Sequence, residues 1–198
     1  AVFQIGTDVG KLAEQLFPGG VDARPVDTFS YQQSAADTAR YIAEGHKVIY
    51  EAAFQYQGML CAVDILVKKR NKWYAYEVKS TTKVKDPHIP DAAFQYYVIT
   101  HAGLALGDFS IIHLNNQYKL QGELNVQELF AVESVLERIL AEQDFVHEQG
   151  QALKAMLLKK DEMPQVEVGN HCNKPYPCDF QGFCFEGIET DAKDFGTP

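Results

Sequence analysis

Asp64, Glu77 and Lys79 have the types and spacing of a hydrolytic metal centre. Residues 72–79 read Lys-Trp-Tyr-Ala-Tyr-Glu-Val-Lys. Side chains alternate faces along a strand, so Glu77 and Lys79 point the same way, together with Trp73 and Ala75. A carboxylate and an ammonium on one face of so apolar a strand are costly unless they pair or a site uses them. With Lys69-Arg70-Asn71-Lys72 as a hairpin tip, Lys68 faces Trp73 and the same register sets Asp64 opposite Glu77, Cβ atoms about 4.5–5.5 Å apart. Two carboxylates that close repel, and a divalent cation between them removes the repulsion. Oxygen donors and water suit Mg²⁺ or Mn²⁺. Such an ion activates water and holds a phosphoryl oxygen, while a neighbouring lysine orients or deprotonates the nucleophile or stabilises developing charge. Glu51, in the preceding strand, neighbours Asp64 across the sheet and is a secondary candidate ligand; the alternative is an ordinary hydrogen-bonded or solvent-facing glutamate. For Asp64, Glu77 and Lys79 the alternative is a buried ion-paired cluster without turnover.

The elements that must position these groups follow from periodicity and punctuation. A helix over 7–17 stops at Pro18-Gly19-Gly20, and a second over 34–44 is capped by Ser34 and ended by Gly45. Segments 48–55, 60–67 and 73–79 read as strands. A helix capped by Asp91 runs to His101, with Phe94, Tyr97, Val98 and His101 at helical spacing. Residues 109–114 form a fourth strand, with a turn at Asn115-Asn116 and a short strand near Tyr118. Asn125 and Glu128 form a capping-box pattern opening a long helix to about 148, broken at Gly150 and resuming to Lys160. This order predicts an α/β fold in which helices sandwich a mixed central sheet.

The chain has 198 residues and a net charge of -9, which argues against indiscriminate nucleic-acid binding. Its basic residues are concentrated, however: Lys68, Lys69, Arg70, Lys72, Lys79, Lys83 and Lys85 lie within one stretch whose only acid is Glu77. That stripe is either a polyanion footprint or a solvated hairpin tip. With no apolar run of about 18 residues and no export-signal pattern at the start, the expectation is a cytoplasmic protein without a membrane span. Cys172, Cys178 and Cys184 fall close together near the end. Their spacing reads as a zinc or iron–sulfur site, with a disulfide as the alternative. Cys61, three residues from Asp64, is expected on the opposite face as a plain core thiol.

Val63-Asp64, Glu77-Val78-Lys79 and Gln95 in the following helix resemble the PD-(D/E)xK nucleases, specifically the RecB-like branch that includes CRISPR-associated exonucleases. The stretches LFPGGV, FQYYVITHAGL and HCNKPYPCDFQGFC also resemble a bacterial family of unassigned function. The resemblance covers most of the chain. It implies a three-layer α/β/α sandwich of restriction-endonuclease type over residues 1–165, a cysteine-bearing segment over 166–186 packed on it, and an acidic tail over 187–198. It implies that Asp64 and Glu77 hold Mg²⁺ or Mn²⁺, that the Val78 carbonyl adds a ligand, that Lys79 is catalytic, and that Gln95 bonds substrate or the lysine. It implies DNA as partner, single-stranded or at duplex ends, contacted by the basic stripe and by Tyr96. It also favours a [4Fe–4S] cluster on Cys172, Cys178 and Cys184, whose fourth ligand this chain does not supply; Zn²⁺ is the alternative. Two departures stand out. The branch places a His in its first helix where Gly10 stands here, and its QxxxY pattern meets Ile99 after Gln95, with tyrosines at 96 and 97. The alternative function is therefore a catalytically weak nuclease-fold module that binds nucleic acid or a protein.

Overall fold

The computed structural model describes residues 2–27, 30–159, 163–174 and 176–186. The chain divides into two compact units, Ala1–Gln151 and Ala152–Pro198. No helix among the described residues is long and apolar enough to cross a membrane.

The first unit is α/β, built on a mixed open sheet of six strands in sequence order. Strand β1 (Val21–Asp22) runs parallel to β2 (Val48–Tyr56), and β2, β3 (Met59–Lys69) and β4 (Lys72–Lys79) form an antiparallel meander. The β2–β3 hairpin turns on Gln57 and Gly58, at φ 47° and 82°. Two consecutive positive φ values match the right-handed twist of the flanking strands. In the β3–β4 hairpin Lys68 pairs with Trp73 as the alternation predicts, and the ladder extends one pair further, to Lys69 and Lys72. Helix α3 (His88–His101) then carries the chain across to β5 (Leu106–Leu114), parallel to β4.

Each sheet face buries its own apolar cluster. On one, Ile49, Val63, Leu66, Trp73, Ala75 and Ile111 pack with Ile89, Ala92, Val98 and Ile99 of α3. On the other, Tyr50, Ile65, Val67, Tyr76 and Ile112 pack with Ala13 of α1 (Val2–Ala13) and with Leu12, Leu16 and Phe17. The Tyr50 hydroxyl donates to the Phe17 carbonyl at 2.6 Å and accepts from the Gly20 amide at 3.2 Å. A Cβ on Gly20 would overlap the Tyr50 ring, which is why the turn after α1 needs glycine there.

Several boundaries differ from the sequence expectation. Helix α2 starts at Tyr31, so Ser34 lies inside its first turn and its buried hydroxyl donates to the Ala23 carbonyl instead of capping. Helix α3 starts at His88 with Pro87 at its cap; Pro90 is tolerated because a first-turn residue has no intrahelical amide bond to lose. The expected long helix after Asn125 is four pieces. The Asn125 side chain does accept from the Gln127 and Glu128 amides, at 3.1 and 3.4 Å, but it caps only α4 (Val126–Leu129). Residues Phe130–Ser134 form β6, antiparallel to β5, before α5 (Leu136–Ala141) and α6 (Gln143–Leu158). Gly150 does not break α6; it lets the helix approach Met59, whose sulfur would lie 3.0 Å from an added Cβ. Tyr118 lies in a turn, its amide bonded to the Asn115 carbonyl at 3.1 Å, and not in a strand.

The second unit holds a 3-10 turn at Asn170–Cys172 and the helical turn α7 (Gln181–Cys184). The expected acidic tail over 187–198 lies outside the described residues.

Candidate metal centre

The β2–β3 and β3–β4 ladders both change at one rung. Tyr50–Ile65 and Ala52–Val63 pair normally, but Glu51 and Asp64, opposite each other between them, do not. Glu51 has φ 53°, a left-handed conformation that a glutamate rarely adopts and that stores strain. Face alternation slips there in both strands: Ile49 and Ala52 share one cluster although three apart, as do Val63 and Leu66. A matched irregularity in two neighbouring strands re-aims both acids without altering the register elsewhere.

The β3–β4 ladder ends at Ile65–Tyr76. One step beyond, Asp64 Oδ2 accepts the Val78 amide at 2.6 Å, so the carboxylate takes a backbone donor that the ladder leaves free. Glu77, buried beside it, accepts from Lys79 Nζ at 2.8 Å, and Lys79 Nζ also meets Asp91 Oδ2 at 2.6 Å. Gln95, one helical turn after Asp91, donates to Asp91 Oδ1 at 3.4 Å. The sheet supplies Asp64, Glu77 and Lys79; α3 supplies Asp91 and Gln95. Two buried acceptors, Glu77 Oε2 and Gln95 Oε1, have no hydrogen-bond partner among the described residues.

The charges are frustrated. Asp64 keeps some exposed surface, yet its carboxyl group is enclosed, and burial followed by the Glu77 charge raises it well above the usual carboxylate range. Burial likewise raises Glu77, against the opposing pull of Lys79. Burial works to lower Lys79, but Glu77 and Asp91 outweigh it and hold the ammonium firmly protonated. The pair of acids thus lacks positive charge on the side away from Lys79.

No protein-family model matches the chain, and none of the curated proteins matches it.

Glu51 does neighbour Asp64, and its charge adds to the upward pull on that group. Its carboxylate is engaged by Arg24 at 2.9 Å. The basic residues divide between the two ends of β4. Arg70 and Lys72 are exposed at the hairpin tip, about 23 Å of strand from Lys79. There Lys68 Nζ lies 5.5 Å from the Trp73 ring, while Lys69 Nζ bonds the Tyr76 hydroxyl at 2.7 Å. Lys83 and Lys85, exposed in the loop after β4, lie on the Lys79 side. Tyr96 is half-buried against the α3 core cluster.

Cys61 corrects one expectation: it faces α3, donating towards the Gln95 carbonyl at 3.8 Å, because alternation slips at Asp64. It is a core thiol, its pKa pushed up to about 12 by burial. Cys172 is buried, Cys178 and Cys184 are exposed, and all three are free thiols. The Cys178 amide donates to the Cys172 carbonyl at 2.8 Å, and Gln181 Nε2 bonds Asn173 Oδ1 at 2.9 Å and the Cys172 carbonyl.

Sequence reasoning missed Asp91 as a site residue by treating it as a helix cap. Its i,i+4 spacing to Gln95 was the available signal, once the helix begins a turn earlier. It also missed His113, the ladder partner of Lys79 on β5, and His88, whose ring burial and then the Lys79 and Lys85 charges hold below its ordinary pKa. His113 is not legible without the parallel β4–β5 register, nor His88 without the earlier start of α3.

Proposed function

We propose that this chain is a Mg²⁺- or Mn²⁺-dependent nuclease of PD-(D/E)xK type that hydrolyses DNA phosphodiester bonds, acting on single strands or duplex ends in the cytoplasm. The observation that carries the reading is the pair of orphaned oxygens, Glu77 Oε2 and Gln95 Oε1, beside an Asp64–Glu77 pair short of positive charge. Buried acceptors without donors are costly, and oxygen atoms are what hard divalent cations bind. Asp64, Glu77 and the Val78 carbonyl would hold the ion, with Glu51 adjoining; water fills the remaining positions, as Mg²⁺ normally requires. When bound, the ion supplies charge neutralisation and an activated water near neutral pH.

The protein's own groups do the rest. The Val78 amide orients Asp64. Asp91 holds Lys79, which keeps its ammonium within 2.8 Å of Glu77, where it stabilises negative charge developing on a phosphoryl oxygen. Gln95 braces Asp91 and presents its free oxygen to the site. Lys83 and Lys85, on the same side, would meet the substrate backbone.

The finer architecture belongs to the same reading: helices on both sheet faces in a three-layer arrangement of restriction-endonuclease type. So does a [4Fe–4S] cluster or zinc ion on Cys172, Cys178 and Cys184 with an external fourth ligand, which would tie down the tail and take no part in hydrolysis.

The test is end-labelled single- and double-stranded DNA incubated with wild type and Lys79→Ala in Mn²⁺, Mg²⁺ or EDTA. Cleavage that needs metal and disappears in the variant is the expected result. A folded wild type that cleaves neither substrate with either metal overturns the proposal.

A further inference from the structure

Helix α3 brings more than Asp91 and Gln95 to the site. His88, Asp91 and Gln95 stand at i, i+3 and i+7, so one face of the helix carries all three, about one turn apart. Gln95 is buried, whereas Asp91, a turn nearer the N-terminus, and His88, a further turn out, are partly exposed. Asp91 meets Lys79 at 2.6 Å, which places the His88 ring beside that ammonium and nearer to solvent. A reciprocal contact with Lys85 fixes the ring: the Lys85 amide donates to His88 Nδ1 at 3.2 Å, and the Lys85 carbonyl accepts the His88 amide at 3.0 Å. An imidazole nitrogen that accepts a hydrogen bond carries no proton, so neutral His88 is protonated on Nε2. Protonating the ring would set a second N–H against the Lys85 amide. Burial disfavours the charged form too, as do Lys79 of β4, Lys85 of the loop and His113 of β5; Asp91 favours it, but Lys79 and Gln95 already hold that carboxylate. The Nε2–H meets no acceptor among the described residues.

We propose that His88 binds the substrate phosphate next to the scissile one, donating a neutral Nε2–H to a non-bridging oxygen. This rests on the nuclease reading of Asp64, Glu77 and Lys79 and adds a second phosphate contact to it. Lys79 lies against Glu77 and serves the reacting phosphoryl group. His88 is displaced from it along α3, towards the Lys85 backbone that its ring contacts. A neutral donor suits that position. Two lysines already supply charge, and a third cation between them would be repelled. Lysine is a flexible point charge, so the register of a strand falls to a group of fixed orientation. A hydrogen bond to a charged phosphate oxygen is also stronger than one between neutral groups. A purely structural histidine, by contrast, would use only Nδ1.

The test separates the two ring nitrogens. Asparagine places an oxygen where Nδ1 lies and nothing at Nε2; glutamine places an amide N–H near Nε2 and leaves the Lys85 amide without its acceptor. Affinity of the full chain for a single-stranded DNA oligonucleotide is measured in Ca²⁺, alongside the urea midpoint. His88→Asn is expected to keep the wild-type midpoint and to bind at least about tenfold more weakly, the scale of losing a hydrogen bond to a charged group. His88→Gln is expected to unfold at lower urea and to bind more tightly than His88→Asn. With a methylphosphonate placed at each linkage in turn, one linkage beside the cleavage position should matter to wild type and not to His88→Asn. A His88→Asn that binds like wild type, or that loses as much as wild type at every linkage, overturns the inference while leaving the nuclease reading intact. So does a His88→Gln that binds more weakly than His88→Asn. A wild type that neither binds nor cleaves overturns both. Should His88→Asn not fold, the imidazole nitrogen resonances of wild type decide by NMR. The His88 Nε2 resonance is expected to shift with the phosphate oligonucleotide and to stay in place when one linkage is methylphosphonate; equal shifts at every linkage overturn the inference.

Discussion

The two ends of strand β4 hold lysines in opposite ways. At the hairpin tip the Lys69 ammonium sits among neutral partners, 5.3, 5.4 and 5.2 Å from the Phe17, Tyr74 and Tyr76 rings and bonded to the Tyr76 hydroxyl. At the other end Lys79 is clasped by two carboxylates at 2.8 and 2.6 Å. An ammonium over aromatic faces is a structural clamp, satisfied without raising the local charge density. An ammonium between carboxylates, next to a further buried acid, belongs to a charged cluster, which in the function proposed above an added cation completes. Lysine density along the sequence does not separate these roles; the partners do.

The sharpest way to break this comparison is to remove the two lysines separately. Lys79→Ala is expected to lower metal-dependent DNA cleavage by about 10³-fold, the scale of losing a preorganised charge at a phosphoryl group. Lys69→Ala, measured in the same initial-rate assay, should stay within about twofold of wild type. Comparable losses in both variants would erase the distinction between the ends.

Next in size is the behaviour of the acids themselves. Asp64 has its folded pKa raised, by burial and by Glu77. The folded state then binds more protons than the unfolded chain, so stability falls as pH rises from about 4, the unfolded carboxylate value, through the folded value. In EDTA the urea midpoint of wild type should decline across that window. Asp64→Asn keeps an oxygen for the Val78 amide but carries no charge. It should flatten the decline and be more stable than wild type above the window, by about 1–3 kcal/mol, the usual cost of a poorly compensated buried polar group. A wild-type midpoint that rises with pH in EDTA would show that the acids are already compensated.

The part of this arrangement legible in the sequence was the part governed by period two and a short turn. Alternation through Trp73, Ala75, Glu77 and Lys79, with a compact tip, predicts the Lys68–Trp73 register and hence Asp64 beside Glu77. What alternation does not carry is the slip at Glu51 and Asp64, because nothing marks a glutamate for positive φ; the same slip turned Cys61 to the α3 side. The apolar residues of Phe130–Ser134 continue a helical spacing into α5, and only the open edge of β5 makes the segment a strand. Asp91 was hidden by a proline that looked like a loop residue and proved to be in the first turn of α3. The Arg24–Glu51 contact joins residues 27 apart and follows no local pattern.

The basic loop after β4 and the hairpin tip sharpen the comparison further. If substrate lies along the Lys79 end, replacing Lys83 and Lys85 by Gln should weaken DNA binding about tenfold at moderate salt and lower the slope of log affinity against log salt by about 1–2. Replacing Arg70 and Lys72 by Gln should change affinity less than about threefold. Binding isotherms at several salt concentrations in Ca²⁺ or EDTA separate the two. A larger loss at the tip would move the DNA to the other end of β4 and away from the acids.

The smallest effect concerns the clamp itself. Lys69→Met keeps the alkyl stem against Phe17 but gives up the Tyr76 hydrogen bond and the interaction with three rings. Such contacts at a partly exposed position are worth about 0.5–1 kcal/mol each and overlap, so a total loss of about 1 kcal/mol is expected in urea unfolding. Lys69 faces Lys72 directly across the ladder, and removing one of two like charges returns part of that loss. The variant is informative because Tyr76 lies next to Glu77 in β4, with its ring on the opposite sheet face. Unchanged Mn²⁺ affinity alongside the lowered urea midpoint would mean that the two faces of β4 act independently. A loss of Mn²⁺ affinity would mean that the aromatic clamp helps to set the strand that carries Glu77 and Lys79, and that the two ends are coupled through β4.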